Sequence, residues 1–130
     1  MSAKEEVQRI NEQIIAAATK GDFAGFVTTL DDEVEVFDHV AYLFEGKARF
    51  LEYLQSAVAG YESTTYTLHQ ASYRAISDTA AVVNAYDRLS TFPKGGGAPK
   101  VQCGRVTWVY AKKGADWKIV SAHFSPLPIE

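Results

Sequence analysis

Long apolar runs, basic clusters and paired cysteines are all missing from this 130-residue chain. No window approaches the roughly 18 apolar residues a membrane span requires. The opening MSAKEEVQRI is charged and helical in character, with no apolar signal core, so the expectation is a cytoplasmic protein with no membrane partner. Thirteen Lys and Arg against 16 Asp and Glu leave a net charge of −3. Without a basic run, the electrostatic footprint of a nucleic-acid partner is absent. Cys103 stands alone, which excludes an intrachain disulfide and a thiolate metal cluster. The three histidines, His39, His69 and His123, are far apart and sit in no clustered carboxylate pattern, so no metal is expected, and no other cofactor. Gly95-Gly96-Gly97 precedes no helix and is not a phosphate loop, and no Ser-His-Asp set has a nucleophile-elbow context.

What is present reads as one domain over residues 1–130, with 47% hydrophobic content, helices first and strands second. Ser2-Ala3-Lys4-Glu5 fits a capping box, and Val7, Ile10, Ile14 and Ala18 follow at helical spacing until Gly21. Asp22 is positioned to cap a second short helix carrying Phe23, Phe26, Val27 and Leu30, ended by Asp31-Asp32. A short strand is predicted from Glu33 to Asp38 and another from Ala41 to Phe44, then a third helix from Lys47 to Ala59. Two long strands, Thr64 to Ala75 and Thr79 to Thr91, lead through a loose Pro- and Gly-rich loop into a hairpin spanning Gly104 to Pro126, which turns at Lys112–Asp116. Both faces of that hairpin carry large side chains, so both need cover. The chain's own helices serve one face, and a second copy of the protein is the simplest cover for the other. The expected fold is α+β: a curved, mostly antiparallel sheet wrapped around three N-terminal helices, with a hollow between them.

Gly-Asp-Phe-Ala-Gly after the first helix, Phe44-Glu45-Gly46 before the third, Gly104-Arg105-Val106-Thr107, Trp117-Lys118-Ile119-Val120 and Ala122-His123-Phe124-Ser125 together resemble the SnoaL-like branch of the nuclear transport factor 2 superfamily. The same segments are similar to the association domain of calcium/calmodulin-dependent protein kinase II. The resemblance implies a cone-shaped, cystatin-like fold, usually a homodimer through the outer sheet face, with a pocket inside the cone. It does not imply one activity, because the scaffold hosts isomerases, cyclases, dehydratases and non-enzymatic assembly modules. Ketosteroid isomerase, an enzyme of the same superfamily, needs a carboxylate base, a tyrosine and a protonated acid. The base resembles Asp38. The tyrosine's position is Ile14 here, and the strand face of Val106, Trp108 and Tyr110 carries no acid, so steroid isomerisation is not expected.

Candidate site residues follow from strand alternation. Asp38 reads either as an Asx-turn former or as a pocket acid or base, and His39 as a loop residue. On the strand from Thr79 to Thr91, Val82, Asn84, Tyr86 and Arg88 share a face. The resemblance to the kinase association domain implies an arginine pointing into the pocket; Arg88 is either that residue or part of an ion pair at the sheet rim. Tyr86 is a candidate donor beside Asp38. Around them, Trp108, Tyr110, Val120, Ala122 and Phe124, with Phe50, Tyr53 and Leu54 of the third helix and Phe26 and Leu30 of the second, form either an aromatic cup or plain core. The expected partner is an unidentified small molecule, apolar or bearing a carboxylate. Arg105, Thr107, His123 and Ser125 alternate onto the opposite face and are assigned to an interface.

Overall fold

A computed structural model describes residues 1–128. Helix α1 spans Ala3–Ala18; the Ser2 hydroxyl accepts the Glu5 N–H, while Glu5 and Glu6 place negative charge in the first turn, where the helix dipole favours it. Helix α2, Ala24–Thr29, is shorter than its apolar stripe suggests. Phe23 occupies the cap position, and the Asp22 carboxylate accepts from the Ala24 N–H instead of capping from its own position. The chain turns extended at Leu30, so strand β1, Leu30–Phe37, begins before the two aspartates rather than after them. Strand β2 is Leu43–Glu45 and helix α3 is Lys47–Val58. Four long strands complete the chain: β3 Tyr61–Ser77, β4 Ala80–Pro93, β5 Lys100–Lys113 and β6 Asp116–Pro126.

These strands form a single sheet in the order β2-β1-β6-β5-β4-β3. Every neighbouring pair is antiparallel except β1 with β6, which run parallel, as expected when a strand from the helical half joins the last strand of the chain. Helix α1 packs against β3 and β4, and α3 against β1, β2 and β3, so all the cover lies on one face. Bulges bend the long strands over the helices. One falls between His69 and Ser72, where Gln70 adopts a φ of 54°, and another between Val109 and Tyr110 opposite Val120.

The core under the helices is built from Val34 and Val36 of β1, Ala81 and Val83 of β4, Val106, Trp108 and Tyr110 of β5, and Trp117, Ile119 and Ala122 of β6. At its centre is a polar hub. The Asn11 side chain, fully buried on α1, accepts from Trp108 Nε1 at 3.0 Å and from the Tyr110 hydroxyl at 2.7 Å, and its amide donates to Tyr73 Oη at 3.1 Å. One side chain thus satisfies the buried polar groups of Trp108 and Tyr110, which would otherwise be unpaired, and bonds the half-buried Tyr73 hydroxyl as well. Nearer the hairpin turn, Trp117 Nε1 donates to Glu6 at 2.8 Å and Lys113 pairs with Asp31 at 2.8 Å, tying β5 and β6 to α1 and β1.

Candidate functional site

Between α1, α2, α3 and the inner face of the sheet lies a cavity of about 720 Å³. Ile14, Ile15 and Ala18 line it from α1, Phe26 and Val27 from α2, and Phe50, Tyr53 and Leu54 from α3. Trp108 and Phe124 form part of the sheet wall, with Trp108 ringed by Phe26 and Phe124 at centroid distances of 6.0 and 6.1 Å. Polar groups are interspersed in this lining, among them Gln55, Ser63, Thr64, Thr91 and Gln102. Asp38 and His39 reach it from the segment after β1, Tyr66 and Asp87 from the sheet, and Glu62 and Lys100 from the ends of β3 and β5.

Asp87 and Tyr66 are the best-defined polar pair. They sit on adjacent strands, with Asp87 opposite Leu68 and Tyr66 opposite Leu89, so both side chains fall on the inner face. The Tyr66 hydroxyl donates to Asp87 Oδ2 at 2.5 Å, and Gly104 of β5 stands opposite Asp87 with its backbone close to the same carboxyl. Gly104 has to be glycine: a Cβ there would lie 2.8 Å from Asp87 Oδ1 and 2.6 Å from the Ser125 carbonyl. Burial pushes the Asp87 carboxyl above the usual aspartate range, opposed by the Tyr66 hydrogen bond and the nearby His39, and reinforced by the charge of Asp38. Burial, with the Asp87 charge beside it, holds the Tyr66 phenol well above the ordinary tyrosine range, so Tyr66 keeps its proton. Desolvation likewise raises the Tyr53 phenol.

Measured against the alternation argument, the site splits. Asp38, half-buried just after β1, accepts from its neighbour His39 N–H at 2.7 Å and also lines the cavity. Phe26, Phe50, Tyr53, Leu54, Trp108 and Phe124 line the cavity with it. Asn84, Tyr86 and Arg88 do not: they project from the outer face of the sheet, where Asn84 accepts from the Thr107 hydroxyl at 2.5 Å and Tyr86 is 45% exposed. The parity of β4 is the reverse of the expected one, because its odd residues Ala81 and Val83 meet Tyr110 and Trp108 across the ladder and follow them inward.

Leu30, Tyr110 and Ala122 are buried in the core beside the cavity rather than lining it, and Tyr110 turns its hydroxyl to Asn11. Val120 is the extra residue of the β6 bulge and lies away from the lining; the bulge lets Ile119 and Ala122 both point inward, which strict alternation forbids. Arg105, Thr107 and His123 are exposed and Ser125 is half-buried, all on the outer face. There the His123 ring lies 5.4 Å from Phe37, and Arg105 stands opposite Tyr86. Cys103 is half-buried on this face opposite Arg88. Asp87 and Tyr66 carried no motif in the sequence. The available signal was an acidic residue in an otherwise apolar strand set, on the parity of Val83 and Leu89.

A six-stranded sheet with the helices and the cavity on one face has the nuclear transport factor 2-like, cystatin-like fold. Within that class, the chain belongs to the SnoaL-like domain family, whose model matches residues 7–130. It is 27% identical over 127 residues to the calcium/calmodulin-dependent protein kinase type II subunit delta of Oryctolagus cuniculus, a match that takes in 96% of this chain and 24% of the relative. The chain thus spans about a quarter of the length of that curated relative. Among solved structures, the CaMKII hub of S. rosetta superposes with a TM-score of 0.76 at 23% identity, covering 98% of both chains. A type 2 hexachlorocyclohexane dehydrochlorinase superposes with a TM-score of 0.71 at 13% identity, covering 94% of this chain and 86% of that one. No helix among the described residues is long and apolar enough to cross a membrane.

Proposed function

We propose that the protein binds a small, largely apolar molecule inside the cone and acts on it, without a cofactor, by proton transfer through Asp38 and Asp87. The observation that carries this reading is the placement of two carboxyl groups shielded from solvent in one cavity, Asp38 half-buried and Asp87 only 7% exposed, while the third carboxyl of the lining, Glu62, is exposed. Two acids in different environments can divide the roles of base and donor, as proton transfer next to a carbonyl requires. Asp38 is the base in this reading. The likeness in fold to a dehydrochlorinase shows that such a cone can host elimination chemistry elsewhere; here the residues are this chain's own. Exchange of the methyl protons of 2-acetylnaphthalene for deuterium, followed by NMR, tests it. Asp38→Asn is expected to slow the protein-dependent exchange by roughly 100-fold or more with binding nearly unchanged. Unchanged exchange in the variant removes Asp38 from the mechanism, and no protein-dependent exchange in the parent leaves a binding protein rather than an enzyme for this ketone.

A second reading, that the domain is an oligomerisation module, is favoured by its likeness to the CaMKII hub and by the character of the outer sheet face. Phe37 is 48% and Tyr86 45% exposed there, interleaved with Arg105, Thr107 and His123. Large aromatics beside an arginine are the usual anchors of a protein–protein interface. A homodimer through this face is expected, with Tyr86→Glu weakening it by about tenfold or more, since a carboxylate replaces a desolvated aromatic. Light scattering across a dilution series checks the prediction; an unchanged mass profile in the variant, or a monomer at every concentration in the parent, sinks it. The two readings are compatible, because Tyr86 and the cavity lie on opposite sides of the sheet.

A further inference from the structure

The deepest polar feature of the cavity is a coupled pair rather than a single acid, and its wiring restricts what the cavity can hold. The Tyr66 hydroxyl and the Asp87 carboxyl are 2.5 Å apart, both border the cavity, and the Gly104 backbone of β5 lies against the carboxyl. A phenol has one proton to donate. While Asp87 is ionised, Tyr66 spends that proton on the carboxylate and shows the cavity only lone pairs. Once Asp87 is protonated, the acid O–H can donate to the phenol oxygen, and the phenol O–H is freed to turn toward a ligand. Inside a low-dielectric pocket a matched donor and acceptor gain, whereas an unmatched pair bears the full desolvation cost.

We propose that the Tyr66–Asp87 pair is the specificity determinant of this cavity, selecting an uncharged ligand whose carbonyl oxygen accepts from Tyr66, and discriminating against a carboxylate of the same shape. The inference rests on the small-molecule reading above. It replaces the carboxylate-bearing ligand that an inward Arg88 would have suited, because Arg88 stands on the outer face. The groups facing Asp87 are Tyr66 from β3, Asp38 and His39 from the segment after β1, and the Gly104 backbone from β5. Only His39 among them can carry positive charge, and it is exposed; Lys100, also exposed, is the remaining cation of the lining. A ligand carboxylate would therefore enter a cavity bordered by Asp38, Asp87 and the exposed Glu62, with no buried cation to meet it. Protonation of Asp87, whose carboxyl burial already holds above the usual range, favours the donor state of Tyr66 as pH falls.

Three probes of nearly one shape test this by calorimetric titration from acid to alkaline pH: 2-acetylnaphthalene, its hydrocarbon isostere 2-isopropenylnaphthalene, and 2-naphthoate. The ketone is expected to bind about tenfold tighter than the hydrocarbon at the acid end, the worth of one buried hydrogen bond, with the ratio shrinking as pH rises. Naphthoate is expected to bind most weakly at the alkaline end. Tyr66→Phe should bring the ketone-to-hydrocarbon ratio to about one at every pH while the hydrocarbon still binds, and Asp87→Asn should flatten the pH dependence of the ratio. The retained hydrocarbon affinity shows that each variant is folded. A ratio that survives Tyr66→Phe, a ratio flat with pH in the parent protein, or naphthoate binding tighter than the ketone at alkaline pH overturns the proposal. If the hydrocarbon binds and the ketone has no advantage, only this assignment falls; if none of the three binds, the small-molecule reading falls and takes it along.

Discussion

Asn11→Leu should lower the unfolding free energy by about 3–5 kcal/mol, and the melting temperature by roughly 10–20 °C for a domain of this size. The reasoning is a count of orphaned groups. Leucine matches asparagine in volume closely enough to avoid a void, yet it removes the acceptor used by Trp108 Nε1 and the Tyr110 hydroxyl and the donor used by Tyr73. Trp108 and Tyr110 are at most 1% exposed, so water cannot replace the lost partner, and each buried donor left alone costs about 1–3 kcal/mol. Tyr73 is only half-buried and contributes less. Trp108→Phe combined with Tyr110→Phe supplies the control: in that background Asn11→Leu should cost far less, because the groups it strands are gone. Thermal and urea unfolding of the four proteins measures the coupling, and an equal cost in both backgrounds would discard the hub.

Gly104→Ala should be nearly as damaging, for a steric reason. The added methyl would lie 2.6 Å from the Ser125 carbonyl oxygen and 2.8 Å from Asp87 Oδ1, so either β6 moves away from β5 or the carboxyl leaves its place. Neither neighbour is the free end of a flexible chain. Overpacking of this kind costs about 1–3 kcal/mol, and disturbing a buried carboxyl's hydrogen bonds adds a similar amount, for a total of about 3 kcal/mol. Gly60→Ala is the matched control: its Cβ would meet nothing within 4 Å, and its effect should stay within about 0.5 kcal/mol. The alanine at 104 should also abolish the pH-dependent ketone preference, because the Tyr66–Asp87 geometry depends on the close approach of β5. Near-native stability together with intact ketone selectivity in Gly104→Ala would show that the backbone there is looser than the structure has it.

The two substitutions mark where sequence reasoning stops. The capping box at Ser2, the helix ending before Gly21, the third helix and the late hairpin were all legible, because each is specified by residues within a turn or two of one another. Six of the cavity-lining side chains were legible for a related reason: Phe26, Phe50, Tyr53 and Leu54 fall on apolar helical stripes, and Trp108 and Phe124 on a strand face with an obvious burial preference. Strand β4 was not legible. Its two faces hold comparable mixtures, Val82, Asn84, Tyr86 and Arg88 on one and Val83, Ala85, Asp87 and Leu89 on the other, so alternation alone leaves the choice open. The bulge at Val120 then breaks the parity rule within β6 itself.

By itself, then, the amino-acid order determined the helices, the strands, their sequence along the chain and the apolar surfaces that had to be hidden, since these depend on local spacing and on burying hydrocarbon. The tertiary structure alone decided which face of β4 turns inward, that Asp87 rather than Arg88 meets the cavity, and that Asn11 joins residues 62 to 99 positions away. The reason is physical. Strand register and hydrogen-bond partners across long sequence separations are chosen by the mutual fit of whole layers, and a one-residue change of register exchanges every inward side chain for its outward neighbour.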